Sequence, residues 1–205
     1  MKNAWEELRT AQLAALQNQI TPHYIVNSLD VIRMKLILDG QTETAELLES
    51  FQNSLKTYGF SPYDTISLAD EFAFLEDCLL FQQFRFLGKL SWELRLPEQI
   101  SSWKIPRFLL QPLVENAVRH GLSGDMPKPN LQIEAWLEED CLCLRVSDNG
   151  KGFSESEQAT GIGIANVKER LRLLYRDGAW MEFKSIPGTG TSVTLRLPEK
   201  GGSSL

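Results

Sequence analysis

Gln111-Pro112-Leu113-Val114-Glu115-Asn116-Ala117-Val118-Arg119-His120-Gly121 is the stretch whose reading decides the fold. Leu113, Val114 and Ala117 recur at helical spacing and form one packed side, so a helix is predicted over Arg107 to His120. That helix also presents Glu115, Asn116 and Arg119. A carboxamide oxygen such as that of Asn116 is a suitable magnesium ligand, and a cation such as Arg119 can meet phosphate oxygens. Taken alone, the stretch is only an amphipathic helix.

Toward the C-terminus, Leu131 to Leu137 and Cys141 to Ser147 alternate as paired strands joined by a charged turn. Asp148-Asn149-Gly150-Lys151-Gly152 follows directly. A carboxylate at a strand end can accept a hydrogen bond from the amino group of adenine. Glycines such as Gly150 and Gly152 let a backbone approach a ligand and adopt positive φ. An ordinary turn reads the same way. Gly161-Ile162-Gly163 opens a predicted helix that runs to Tyr175, with Val167, Leu171 and Leu174 on one face. Backbone N–H groups and the helix dipole at such a start suit phosphate. Trp180 to Lys184 and Thr191 to Leu197 read as two closing strands. Gly188-Thr189-Gly190-Thr191 lies between them, either a glycine-rich binding turn or a plain hairpin. Mixed strands and helices predict an α+β layered domain.

Toward the N-terminus, Ser67-Leu68-Ala69-Asp70 has the look of a helix N-cap, and the helix after it carries Phe72, Leu75, Leu79 and Phe86 up to Gly88. Leu90 to Leu96 alternates like a strand. Ser61-Pro62-Tyr63-Asp64 breaks the pattern as a linker. Before it a helical hairpin is expected. Leu13, Leu16, Ile20, Tyr24, Val31, Met34 and Leu38 form a helical stripe, and Asp39-Gly40 is a turn. A second helix runs from Thr42 to near Gly59 with Leu48, Phe51 and Leu55 on its inner face. Two helices cannot bury a core alone, so a homodimeric four-helix bundle is expected. The expected domains are a helical region over 1–62, an α/β sandwich over 63–200 and a disordered tail over 201–205.

Composition bounds the function. The chain has 205 residues, a net charge of -6 and 42% hydrophobic residues. It carries no dense basic block, which argues against nucleic acid as a partner. No apolar run approaches the ~20 residues that span a bilayer. A membrane connection would therefore lie in a segment outside this chain. Cys78, Cys141 and Cys143 form no C-x-x-C pair and read as buried reduced thiols. The chain lacks a P-loop and the signature set of Ser/Thr/Tyr kinases.

Order and spacing carry more than each motif alone. Glu115-Asn116-Ala117, Asp148-x-Gly150-x-Gly152, Gly161-x-Gly163 and Gly188-x-Gly190-Thr191 resemble the N, G1, G2 and terminal glycine boxes of the Bergerat ATP-binding fold. That superfamily includes gyrase B, Hsp90, MutL and the histidine kinases. The resemblance implies that Asn116 holds Mg²⁺ and that Asp148 reads adenine. It further implies that ATP meets Arg119, His120, Gly150, Gly152, Gly161, Gly163, Gly190 and Thr191, with residues 152–161 as a short lid.

One of only two histidines sits in Gln19-Ile20-Thr21-Pro22-His23-Tyr24-Ile25-Val26-Asn27-Ser28-Leu29. Pro22 disfavours helix at Thr21, so the helix kinks or restarts with Thr21 as cap. A neutral imidazole is a competent nucleophile near pH 7, given an unperturbed pKa of ~6.5. Asn27, one helical turn on, is placed to orient the ring of His23 or a water. This segment resembles the signature of the LytS/YesM-type histidine kinases. The likeness continues through Leu75 to Phe86, Leu109 to Asn116 and Gly161 to Leu171, and covers roughly Leu13 to Pro198. It implies phosphorylation of His23 and transfer to an aspartate on the receiver domain of a response regulator. It also implies the cytoplasmic portion of a membrane-anchored bacterial sensor. Two departures stand out: Tyr24-Ile25-Val26 replaces Phe-Leu-Phe/Tyr, and Thr21 replaces Asn. The acid that follows the histidine in commoner histidine kinases is Tyr24 here, which leaves Glu115 as the candidate general base. The alternatives are a gyrase B/Hsp90-like conformational ATPase, an anti-sigma-type serine kinase and a degenerate scaffold. The first needs a glutamate four residues before the asparagine, where this chain has Pro112.

Overall fold

The computed structural model describes residues 22–58, 65–122, 125–154, 162–175 and 178–198. The chain divides into two units, Met1–Phe60 and Ser61–Leu205.

The first unit holds α1 (Pro22–Leu38) and α2 (Thr42–Tyr58), packed as a hairpin. The turn at Asp39-Gly40 ends α1 with Gly40 at φ 74°, where a side chain would be strained. Gly40 N–H donates to the Ile37 carbonyl at 3.0 Å and Gln41 N–H to that of Leu36 at 2.8 Å, a Schellman closure. Ala45, Leu48 and Gln52 of α2 are buried. Gln52 donates to Asp30 at 3.0 Å and Arg33 to Glu49 at 3.3 Å across the hairpin. Asp30, Arg33 and Leu36 thus face α2. Val31, Met34 and Leu38 of the predicted stripe instead face outward, exposed by 68%, 61% and 81%. A polar seam has taken the contact within the hairpin. Leu13, Leu16, Ile20 and Thr21 lie outside the described residues, as do the linker Ser61 to Asp64 and the tail.

The second unit begins with β1 (Thr65–Ser67), α3 (Leu68–Arg85), β2 (Ser91–Arg95), β3 (Lys104–Pro106) and α4 (Gln111–Asn116). It continues with β4 (Asn130–Glu138), β5 (Cys141–Asp148), α5 (Ile162–Tyr175), β6 (Trp180–Ile186) and β7 (Gly190–Pro198). Five strands pair in the order β2-β4-β5-β7-β6, with β2 and β4 parallel and the other pairs antiparallel. The β4–β5 turn holds Glu139 at φ 48° and Asp140 at φ 60°, the left-handed pair that matches strand twist. Alternation puts Leu131, Ile133, Leu144, Val146 and Leu195 on a buried face against Leu75, Leu79, Leu113, Val167 and Leu171 from the helices. The architecture is α+β, as expected. A short β1–β3 pair adds a strand contact that propensity did not signal.

Two predicted details differ. Leu174 is 39% exposed, so the inner face of α5 rests on Ile164, Val167 and Leu171. The helix expected over Arg107 to His120 starts only at Gln111 and passes into a π-helical turn over Ala117–Gly121. Phe108 at φ 55° breaks helical geometry before it, and Pro112 belongs in a first turn because it lacks an N–H.

Candidate functional site

Asp148 is the last residue of β5, and the glycines around it show how tightly the loops close on it. A Cβ on Gly121 would lie 2.7 Å from Asp148 Oδ1. One on Gly150 would lie 2.1 Å from the Gly121 carbonyl oxygen, and one on Gly190 1.9 Å from that of Asp148. One on Gly152, at φ 59°, would meet the Ile186 carbonyl at 2.1 Å. Real Cβ atoms do not approach so closely, so Gly150, Gly152 and Gly190 are required by backbone packing within the protein. Lys151 N–H donates to the Gly121 carbonyl at 3.0 Å and Gly188 N–H to that of Lys151 at 2.7 Å, completing the junction.

This junction joins three predicted boxes. The end of the π-helical turn abuts Asp148, and Thr191 of β7 pairs with Asp148 in register. Gly188, at φ 75°, and Thr189 form the β6–β7 hairpin turn. Thr191 is buried, its hydroxyl 3.0 Å from that of Ser185. The fourth box is only partly in view. Gly163 lies in the first turn of α5, while Gly161 and most of the lid lie outside the described residues.

Asp148 Oδ1 accepts the Gly150 N–H at 2.8 Å. Burial pushes its carboxyl above the usual range, and the Gly150 and Thr191 backbones pull it partly back. Leu113, Val114, Ala117 and Val118 anchor α4 and its π turn in the core. That leaves Asn116 half-buried and Glu115, Arg119 and His120 exposed. Glu115 accepts from Gln111 Nε2 at 2.7 Å. Among the described residues, Asn116, Arg119 and His120 have no side-chain partner. π-helical turns frequently mark functional sites, because they re-aim side chains inside a packed helix.

These groups fit a magnesium nucleotide. A free carboxamide supplies a hard oxygen donor, and uncommitted Arg and His side chains follow on the next turn. The described residues contain no cluster of three or more His, Cys, Asp or Glu that could hold a metal by itself. Magnesium bound through one protein ligand and phosphates does not need one. Two open concavities, about 420 and 650 Å³, lie near Trp136 and Arg145, and no nucleotide-site candidate lines either. The three cysteines are free thiols, and burial pushes Cys78 up to about 12.

His23 lies in the first turn of α1 and Asn27 one turn on, exposed. Glu71 escaped the sequence reading. It is a fully buried carboxylate on α3 that accepts the N–H groups of Phe108 at 2.9 Å and Leu110 at 3.0 Å, just before α4. The available signal was a charge lying among Leu68, Phe72, Leu75 and Leu79 on an otherwise apolar helix face.

Comparison with known proteins agrees with this geometry. Residues 11–90 match the family model described as histidine kinase. Residues 104–201 match the one described as histidine kinase-, DNA gyrase B- and HSP90-like ATPase. The chain is 28% identical over 195 residues to the sensor histidine kinase YesM of Bacillus subtilis, covering 93% of this chain and 34% of that protein. It is 29% identical over 191 residues to the sensor histidine kinase BtsS of Escherichia coli K12, with 93% and 34% covered. The chain thus spans about a third of the length of the curated relatives it matches. Among solved structures, the histidine kinase domain of the Erythrobacter litoralis blue-light activated kinase superposes with a TM-score of 0.52 at 20% identity, over 82% of this chain and 85% of that one. Acinetobacter baumannii AdeS gives 0.51 at 18%, over 90% and 98%. Those two likenesses speak to the fold alone. The chain thus carries both segments that histidine kinase family models describe, and in sequence it is similar to the LytS/YesM-type sensor histidine kinases over more than nine-tenths of its length.

Proposed function

We propose that this chain is the catalytic core of a two-component sensor kinase, which binds Mg-ATP in its second unit and phosphorylates His23 in its first. The observation that carries the reading is the junction at Asp148, where Gly121, Gly150 and Gly190 pack one N-box helix, one strand end and one hairpin together. Asp148 accepts from the adenine amino group. Arg119 and His120 face the phosphates, together with Gly163 in the first turn of α5 and, as the family resemblance implies, Gly161. Gly150, Gly152, Gly190 and Thr191 hold the walls of the site. Asn116 supplies the protein oxygen to Mg²⁺, whose charge offsets that of the phosphates during transfer.

In the reaction, an imidazole nitrogen of His23 attacks the γ-phosphorus. The bond to the β,γ-bridging oxygen breaks, ADP leaves, and the phosphoryl group stays on the ring. Asn27 orients the imidazole, and Glu115 is the candidate acceptor of its proton. The phosphoryl group then passes to an aspartate of a response-regulator receiver domain. A second copy of the chain pairs with the exposed apolar side of α1. The native setting is the cytoplasmic side of a membrane-anchored bacterial sensor, with the anchor in a segment outside this chain. A gyrase-like hydrolytic route lacks its base, because Pro112 stands at the required position.

The test is incubation with ATP radiolabelled on the γ-phosphate, followed by acid or alkali. Phosphohistidine gives label that survives alkali and is lost in acid. His23→Gln should abolish the label and leave the nucleotide dissociation constant unchanged. Undiminished labelling of that variant would overturn the phosphoacceptor assignment.

A further inference from the structure

Glu71 lies in the first turn of α3, 0% exposed, and the reaction scheme does not use it. Its first turn is unusually well anchored. Leu68 N–H donates to the Trp103 carbonyl and Ala69 N–H to that of Ser101, both at 2.9 Å, and Ser67 Oγ accepts the Asp70 N–H at 3.1 Å. The carboxylate therefore projects from a fixed base into the core. There it meets the backbone of the segment entering α4. Oε2 accepts the Phe108 N–H at 2.9 Å, Oε1 accepts the Leu110 N–H at 3.0 Å, and the Leu109 backbone contributes as well.

α4 needs such a partner. Its N-cap residue is Leu110, which has no side-chain acceptor, and Pro112 in its first turn brings no N–H. Phe108 sits at φ 55°, an uncommon conformation for a residue with a bulky side chain. Two contacts hold it there: its N–H on Glu71, and its ring 5.2 Å from that of Phe74 on the same α3. Glu71 thus does from a distance what an N-cap does locally. Burial pushes its carboxyl above the usual range and the Leu110 and Phe108 N–H groups pull it partly back; when ionised, its charge lies at the positive end of the helix dipole. Arg170 on α5, the helix that follows the lid and packs against α4, is the nearby cation that offsets this charge.

We infer that Glu71 is the positioning residue of the metal side of the nucleotide site, setting the entry of α4 and through it the place of Asn116. This rests on the proposed assignment of Asn116 to Mg²⁺. Asp148 ends β5, where the ladders to β4 and β7 and the Gly150 N–H hold it, so its place depends less on Glu71 than that of Asn116 does. The two halves of the site therefore separate experimentally.

The experiment is calorimetry of the full chain with a non-hydrolysable ATP analogue, once with Mg²⁺ and once with EDTA. The ratio of the two affinities is the magnesium gain. Glu71→Gln presents an N–H₂ to backbone N–H groups and should cut the magnesium gain about tenfold, while the EDTA affinity stays within about twofold of wild type. Glu71→Asp keeps the charge but reaches fewer N–H groups, and should give an intermediate loss of about threefold. A full magnesium gain in Glu71→Gln overturns the inference alone. If both variants lose the two affinities in equal proportion, or neither folds, the carboxylate serves the fold as a whole and the inference also falls. No magnesium gain in the wild-type chain overturns the nucleotide-site assignment itself, and the positioning role with it.

Discussion

Asp148 shows how one residue can be unfavourable for folding and favourable for binding. Burial raises its pKa from the ordinary 3.8. For folding, a raised carboxyl pKa stabilises the native state only below the unfolded value, and the contribution is lost as pH rises through the folded value. At neutral pH the site therefore holds a partly desolvated charge that a hydrogen-bond donor would satisfy. The adenine amino group is such a donor, and the ionised form accepts from it more strongly than the protonated form, which is a neutral acceptor. Affinity for the ATP analogue in EDTA should then fall on acidification, beginning above pH 3.8 because the folded carboxyl titrates above that value. Asp148→Asn should bind at least about tenfold more weakly at pH 7, as expected for a hydrogen bond to a charged group. It should also lack the acid-dependent fall attributable to this carboxyl. Parallel calorimetric titrations of the two proteins over pH check both outcomes, and identical pH profiles would remove Asp148 from adenine recognition.

At the scale of elements, sequence periodicity found what is periodic. The strands at 131–137 and 141–147 and the helix after Ser67 stand as read, because alternation and capping are local signals. The entry to α4 was not legible, because it is fixed from 37 residues away by Glu71. The β1–β3 pair, of three residues per strand, is too short to carry a pattern. The glycine boxes were legible as motifs, but their reason was not: spacing suggested room for phosphate, and the structure shows backbone against backbone. The cap on α3 belongs to this scale. Ser67 Oγ accepts the Asp70 N–H, and an alanine there leaves that donor to water. Ser67→Ala should destabilise the second unit by ~1 kcal/mol. For a domain of this size that lowers the melting temperature by about 3 °C in a thermal scan. No change in melting temperature would mean that the loop carbonyls of Ser101 and Trp103 hold the turn without it.

At the scale of the whole molecule, the first unit presents an imbalance. Val31, Ile32, Met34, Ile37 and Leu38 are each at least 48% exposed on one 17-residue helix. Meanwhile the seam between α1 and α2 is closed by Asp30, Arg33, Glu49 and Gln52. Apolar surface left outside while polar groups occupy the inside is what a helix pair shows when its main partner is another chain. Sequence alone gives Val31, Met34 and Leu38 as one apolar stripe and leads to the expectation of a second copy; the structure adds that these three face away from α2. A pair of hairpins joined through that side buries these residues at the centre of four helices. Met34→Glu would place a carboxylate in that centre with no partner, and an unpaired buried charge is strongly destabilising to the association. The wild-type chain should therefore sediment at twice its 23.2 kDa mass. Met34→Glu should shift it to the single-chain mass at the same micromolar concentration. The second unit has its own core, so its affinity for nucleotide should be unchanged in the variant. An unchanged dimer would show that the copies meet elsewhere, and a monomeric wild type would show that the exposed side of α1 is covered by something other than a second copy.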